Sequence, residues 1–286
     1  MFEGRYLQTL FSIDNEAAIR PLHLDEKEGV LVTEFLPHAL TLRSAMLEGK
    51  LNLNGTFKRI GEICAKSYFH TSEFGASREE REKLIRRFQG NEAMRDLTAD
   101  VIFTSPWLPF QSPTFPNNYH PLLSDIVKSL QSDEDDVQSM VSVLKHRFLT
   151  SNECLLHGDL HTGSIFLAGD SRVRIFDSEF CMMGPVSFDL GLLMAHILIS
   201  ALSARGRENK KPQVELVESL WNSFRDVLTK LWESKHMDLE ESNDTTLSVV
   251  EKGNIYTPGM FLKNDSRTSA RDDFFDRIFR ETCGFA

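Results

Sequence analysis

Apolar and polar positions along the chain follow two rhythms. Ile19-Arg20-Pro21-Leu22-His23-Leu24 and Val30 to Leu36 read as two short strands about the acidic turn Asp25 to Gly29. Pro37 has no N–H to give to a ladder, so the second strand stops there. From Leu42 the spacing becomes helical, and Phe57, Ile60, Ile63, Cys64 and Tyr68 fall on one face. The stretch from Arg78 to Phe88 is heavily charged and predicts a solvated surface helix. Phe103 to Pro121 holds Pro106, Pro109, Pro113, Pro116 and Pro121, which predicts an irregular connection.

Ser132 followed by Asp133, Glu134, Asp135 and Asp136 predicts an N-cap and a first turn suited to the helix dipole, opening a helix to about Phe148. Two strand-like pieces follow, Cys154 to Leu156 and Val173 to Phe176, with Ile165-Phe166-Leu167 between them. Ser187 to Leu202 is apolar nearly all round and predicts a buried helix, whereas Val214 to Trp232 is amphipathic. Ser269 with Asp272 suggests a capping box for a last helix to Cys283, with Gly284 as its stop.

Composition narrows the class. The 286 residues are 41% hydrophobic and 26% charged, enough to bury a core. The net charge of −10 argues against nucleic acid or an anionic membrane as partner. The apolar run from Gly191 to Leu202 is interrupted by His196 and Ser200 and falls well short of the roughly 20 residues of a membrane span. No secretory signal follows Met1, so the expectation is a cytoplasmic protein. Cys64, Cys154, Cys181 and Cys283 are scattered without a C-x-x-C pair, in keeping with reduced thiols.

The chemistry concentrates in Leu155-Leu156-His157-Gly158-Asp159-Leu160-His161-Thr162-Gly163-Ser164, followed by Asp177-Ser178-Glu179 after an apolar strand. A hairpin would bring three carboxylates into one small volume, and like charges that close call for a cation. Hard oxygen ligands suit magnesium completed by substrate phosphates. Gly158 and Gly163 have the spacing of a phosphate-binding loop, but the position of its lysine is Ser164 and Asp159 would repel phosphate. A metal-dependent hydrolase built on His157, Asp159, His161, Asp177 and Glu179 stays open on residue types alone. So does a kinase-like catalytic loop, in which one Asp orients a hydroxyl and a downstream Asp holds magnesium.

His157-Gly158-Asp159-Leu160-His161, with Asp177 eighteen residues after Asp159, resembles the loops of aminoglycoside phosphotransferase and choline kinase-like enzymes. Ser164, Asp177-Ser178-Glu179, Gly184-Pro185 and Phe188-Asp189-Leu190-Gly191 sharpen the resemblance to the methylthioribose kinase family. Weaker similarity runs from Val32 through Gly49 and from Phe279 to Ala286. The resemblance implies an α+β, protein kinase-like fold, with residues 1–36 as a remnant of the nucleotide-binding small lobe and hinge strand and 37–286 as a helical catalytic lobe. It implies ATP and Mg2+ as cofactors, S-methyl-5-thioribose as substrate, phosphorylation at its 1-hydroxyl in methionine salvage, and a homodimer.

Carried over residue by residue, Asp159 would bind the sugar hydroxyl and accept its proton, and Asp177 and Glu179 would hold the metal. Asp177, Ser178 and Glu179 would face the nucleotide, and Thr33, Glu34 and Phe35 would offer backbone groups to adenine. His157, His161 and Asp189 are expected to brace the loop, and Ser164 either to approach the metal or to hold a turn. Departures are also visible. Ser178 stands where the family has Pro, and Met182-Met183 where it has an aromatic pair. No G-x-G-x-x-G occurs, the first lysine is Lys27, and the family's arginine pair would follow Ala286. The expectation is a chain cut at both ends and impaired as a kinase, with a weak or inactive ligand-binding module as the alternative.

Overall fold

The computed structural model describes residues 1–49, 53–107, 121–132, 137–169, 172–203, 211–241 and 264–286. The chain opens with α1 (Phe2–Ile13), whose Tyr6, Leu7 and Leu10 are buried in the core. Asp14 follows in extended conformation, its carboxylate accepting from Arg59 at 2.8 Å and Lys66 at 2.7 Å. These bonds tie the end of α1 to α3 (Asn54–Thr71). The chain then runs beside β6 (Arg172–Ile175): Ile19 donates to the Ile175 carbonyl at 3.0 Å and Ile175 to that of Ala17 at 2.8 Å.

β1 (Pro21–Asp25) and β2 (Val30–Thr33) pair antiparallel, with an irregularity between Pro21 and His23. β3 (Leu40–Thr41), β5 (Ile165–Ala168) and β6 form a second antiparallel sheet, and β4 (Cys154–Leu156) pairs with β7 (Met182–Gly184) in a third. The second and third sheets set the two ends of the motif region. β4 delivers the chain to His157, and the β5–β6 hairpin delivers it to Asp177.

Helices supply most of the core. On α3 the predicted face is realised, with Phe57, Ile60, Ile63 and Tyr68 buried. It packs along α9 (Lys211–Glu241), where Ser223 Oγ donates to the Lys58 carbonyl at 2.8 Å and Leu220 and Phe224 are buried. α4 (Arg78–Phe88) matches the charged segment and carries a capping box in which Ser77 and Glu80 bond reciprocally. α8 (Ser187–Ser203) is apolar and mostly buried, and the last turn of α10 (Asn264–Phe285) packs on it. Among the described residues no helix is long and apolar enough to cross a membrane, and the four cysteines are free thiols.

Several local expectations need correction. α1 and α5 (Glu92–Phe103) have no counterpart among the predicted elements. Ser132 is the last residue of α6 (Ser124–Ser132), its hydroxyl donating to the Ser129 carbonyl at 2.8 Å, and the first turn expected after it lies outside the described residues. The acidic run 133–136 lies outside the described residues, and α7 (Val137–Thr150) begins beyond it. Of the proline-rich stretch, Ser105–Trp107 and Pro121–Leu123 form short 3-10 turns, and 108–120 lie outside the described residues. α10 starts before Ser269 and continues through Gly284 to Phe285. Packing overrides the stop signal there, because Gly284 lies against Leu144 and Thr282 and Phe285 against Gly191.

Candidate active site

The loop after β4 is held from below by a buried carboxylate. Asp189, in the first turn of α8, accepts the N–H of His157 through Oδ2 at 2.7 Å and that of Gly158 through Oδ1 at 3.1 Å. Burial pushes the Asp189 carboxyl up to about 7, against the lowering effect of these backbone donors. Gly158 has φ of +83°, and a Cβ there would lie 2.1 Å from the Phe180 carbonyl oxygen, so no other residue fits. His157 is fully buried, and burial holds its imidazole down to about 4. Its Nε2 donates to the Phe176 carbonyl at 2.9 Å and its Nδ1 accepts from Asp159 N–H at 3.3 Å. This one ring links the loop to the end of β6.

Ser164 closes the loop. Its hydroxyl is buried and sits between the His161 N–H at 3.0 Å and the carbonyls of Asp159 and His161, at 3.1 and 2.9 Å. Of the two roles open for it in sequence, the turn is the one the geometry displays. Both nitrogens of His157 are taken, and His161 Nδ1 accepts from Gly163 and Ser164 N–H. Among the described residues no three His, Cys, Asp or Glu side chains gather closely enough to hold a metal ion by themselves.

Asp159 projects from this braced loop with its side chain 40% exposed. Burial raises its carboxyl, His161 opposes that, Asp177 adds to the rise, and Arg43 opposes it. Asp159 and Asp177, distant in sequence, therefore share one electrostatic neighbourhood. Asp177 has φ of +64°, a left-handed conformation uncommon for a non-glycine residue, at the exposed mouth of the turn. Ser178 is buried, with no hydrogen-bond partner for Oγ among the described residues, and Glu179 is exposed. Asn91, just before α5, anchors this turn by donating to the carbonyls of Glu179 at 2.8 Å and Cys181 at 2.9 Å.

A further carboxylate belongs here that sequence reasoning missed. Glu3, on α1, is raised by burial and by the charges of Asp177 and Glu179, while the nearby backbone N–H groups of Asp177 and Ser178 work the other way. The helical spacing of Tyr6 and Leu10 was the available signal for α1; nothing local pointed Glu3 at a turn some 170 residues on. Glu3, Asp159, Asp177 and Glu179 thus belong to one electrostatic neighbourhood, linked through Asp177. Two of them, Asp177 and Glu179, stand exposed on one turn, which fits a magnesium ion that takes one or two protein carboxylates and completes its shell with water and phosphate.

The predicted hinge lies apart from this cluster in the chain. Thr33 ends β2, Glu34 N–H donates to the Arg20 carbonyl at 2.9 Å, and the Glu34 carboxylate accepts from Arg20 N–H at 2.9 Å. Glu34's own N–H is thereby committed within the hairpin. Phe35 is 87% exposed.

Comparison with known proteins adds to the geometry. Residues 93–215 match the phosphotransferase enzyme family. The chain is 34% identical over 238 residues to a methylthioribose kinase of Geobacillus sp. (strain WCH70), covering 83% of this chain and 57% of that protein. It is 34% identical over 286 residues to the methylthioribose kinase of Geobacillus thermodenitrificans (strain NG80-2), covering 100% of this chain and 64% of that protein. The fold resembles that of a glucosamine kinase solved in complex with glucosamine, ADP and inorganic phosphate, with a TM-score of 0.50 and 14% identity over 98% of this chain and 66% of that one. The chain spans less than two thirds of the length of these relatives. The resemblance first read from the loop motif holds along the chain, and the α+β kinase-like fold holds with it.

Proposed function

We propose that this relative of the methylthioribose kinases, with the kinase-like fold of the phosphotransferase enzyme family, forms the catalytic part of an ATP-dependent small-molecule kinase. Its substrate is S-methyl-5-thioribose, phosphorylated at the 1-hydroxyl in methionine salvage. One observation supports the reading: the braced loop carries Asp159 within electrostatic reach of Asp177, on the separate turn that also bears Glu179. Phosphoryl transfer asks for that combination, one carboxylate for the attacking hydroxyl and others for the cation on the phosphates.

In this reading Asp159 orients the sugar hydroxyl and receives its proton, which a carboxylate at a solvent-accessible loop tip is free to do. Asp177 and Glu179 would hold Mg2+, whose chemistry is to neutralise charge on the phosphates. Ser178, between them in sequence and with its side chain buried, would meet the nucleotide through its backbone. Thr33, Glu34 and Phe35 line the adenine edge, with Thr33 and Phe35 left to supply backbone groups where the Glu34 N–H is committed to Arg20. Residues 1–36 serve the nucleotide and 37–286 carry the catalytic machinery.

The test is a coupled ADP-release assay on the full-length protein with S-methyl-5-thioribose, ATP and magnesium. Asp159→Asn is expected to keep its melting temperature within a few degrees and lose most of kcat. Retained kcat in that variant would show that the loop does another job.

A further inference from the structure

We infer that His161 is a positioning residue for Asp159: its ring is locked in one tautomer that directs an Nε2–H at the Asp159 carboxylate. The inference rests on the phosphotransferase reading above and adds a residue to it. His161 Nδ1 accepts two backbone donors, Gly163 N–H at 2.8 Å and Ser164 N–H at 3.0 Å. A nitrogen that accepts cannot also carry the ring proton, so that proton sits on Nε2. Nε2 lies 3.6 Å from Asp159 Oδ2. That separation is beyond a hydrogen bond, yet a closure of about half an ångström would make one, and such bonds commonly tighten when substrate binds.

The ring has little freedom to turn away. One face stacks on His196, with centroids 5.3 Å apart and planes at 25°. His196 is itself fixed by Thr162 Oγ1 at 3.2 Å from its Nδ1, and burial, His161 and Arg43 keep its imidazole down at about 4. Against its edge lies Gly163, where a Cβ would stand 2.7 Å from Cε1 and 2.9 Å from Nδ1. A histidine needed only to brace the turn would use Nδ1 alone. Here the opposite nitrogen faces the carboxylate proposed to receive the hydroxyl proton. A donor there fixes the carboxylate's rotation and favours its charged form, the form able to accept. The other charges around Asp159 are Asp177, which works against that form, and Arg43, which supports it.

Two readouts test this. Side-chain nitrogen NMR of the full chain is expected to find the His161 proton on Nε2; a proton on Nδ1 overturns the inference whatever the activity. In kinetics, His161→Asn keeps an acceptor oxygen for the Gly163 and Ser164 N–H groups but has nothing that reaches Asp159. Its kcat should fall by up to about 100-fold, the scale of a misplaced catalytic group, with KM for ATP unchanged. His161→Gln, whose amide N–H reaches further, should recover part of the loss. Gly163→Ala, which displaces the ring by its added Cβ, should repeat the Asn phenotype and serves if His161→Asn fails to fold. Wild-type kcat in both His161→Asn and Gly163→Ala overturns the proposal. If Asp159→Asn is impaired while these two are not, only the role of His161 falls; if Asp159→Asn is itself fully active, the phosphotransferase reading falls first.

Discussion

Asp189 holds the backbone of His157 by accepting its N–H on Oδ2 in a buried 2.7 Å hydrogen bond, while its other oxygen takes the next N–H along. The two residues also titrate in opposite senses. Asp189 is raised to about 7, so between about pH 4 and 7 the folded chain holds a proton that the unfolded chain has lost, and stability falls as pH rises. His157 is lowered to about 4, so the unfolded chain binds the extra proton below its ordinary 6.5, and stability falls as pH drops. Between about pH 4 and 6.5 the two slopes cancel. Asp189→Asn is expected to remove the first and expose the second, steepening the acid-side loss by about 1.4 kcal/mol per pH unit. It should also cost about 1–3 kcal/mol by setting an amide NH2 against a backbone donor. Urea unfolding of both proteins from pH 4 to 7 measures both effects, and an unchanged slope would mean that Asp189 is ionised in the fold.

Gly158→Ala should be worse than most core truncations. The methyl group would meet backbone, the Phe180 carbonyl at 2.1 Å, and the residue would keep φ of +83°. Strain in φ and overpacking each cost roughly 1–3 kcal/mol. The expected loss is therefore roughly 2–6 kcal/mol, read by chemical denaturation, with loss of the shifted His157 ring signals by NMR. A variant within about 0.5 kcal/mol of wild type would show that the loop has another accessible backbone path.

What the sequence made legible follows its local signals. The apolar face of α3 and the charged surface helix α4 rest on signals within one element, and both formed as read. The loop motif was legible too, down to the bracing roles of His157 and Asp189, because the residues that make it lie close in the chain and resemble a known family. Glu3 was not, since its place depends on α1 folding back on a turn after β6, a contact with no local signature. Gly284 misled because a helix end packed on Gly191 of α8 outweighs glycine's preference for stopping a helix.

Asp14 should set part of the acid stability. Its side chain is only 7% exposed, and burial alone would raise its carboxyl, but hydrogen bonds from Arg59 and Lys66 outweigh that and bring it to about 2. A depressed carboxylate adds stability above its unfolded value near 3.8 and loses it as pH falls towards 2. The contribution is roughly 2 kcal/mol. Asp14→Asn should be less stable than wild type at pH 7 by about that amount, and the difference should shrink as pH falls from about 4 to 2. Thermal unfolding across that range checks it; a gap that persists at pH 2 would assign the loss to packing between α1 and α3.

Asp177→Gly separates stability from function at one position. The wild-type residue holds φ of +64°, where glycine is at ease and an L side chain costs about 1 kcal/mol. It also adds a negative charge to a region that already contains Glu3, Glu179 and Asp159. Both features are unfavourable for a chain with no cation bound, and neither is needed for the turn, which Asn91 anchors through the Glu179 and Cys181 carbonyls. Glycine removes the strain and the repulsion together, so the variant is expected to unfold at a higher temperature, gaining about 1 kcal/mol. Under the proposed function, that carboxylate serves the magnesium and the phosphates. Calorimetry of ADP binding should find wild-type affinity strengthened by magnesium and that of Asp177→Gly indifferent to it, with Asp177→Asn, which tolerates the same backbone, equally indifferent but no more stable than wild type by more than a few tenths of a kcal/mol. If Asp177→Gly binds ADP with an undiminished response to magnesium, the metal assignment fails, and the strain at this residue must be explained by Glu3 alone.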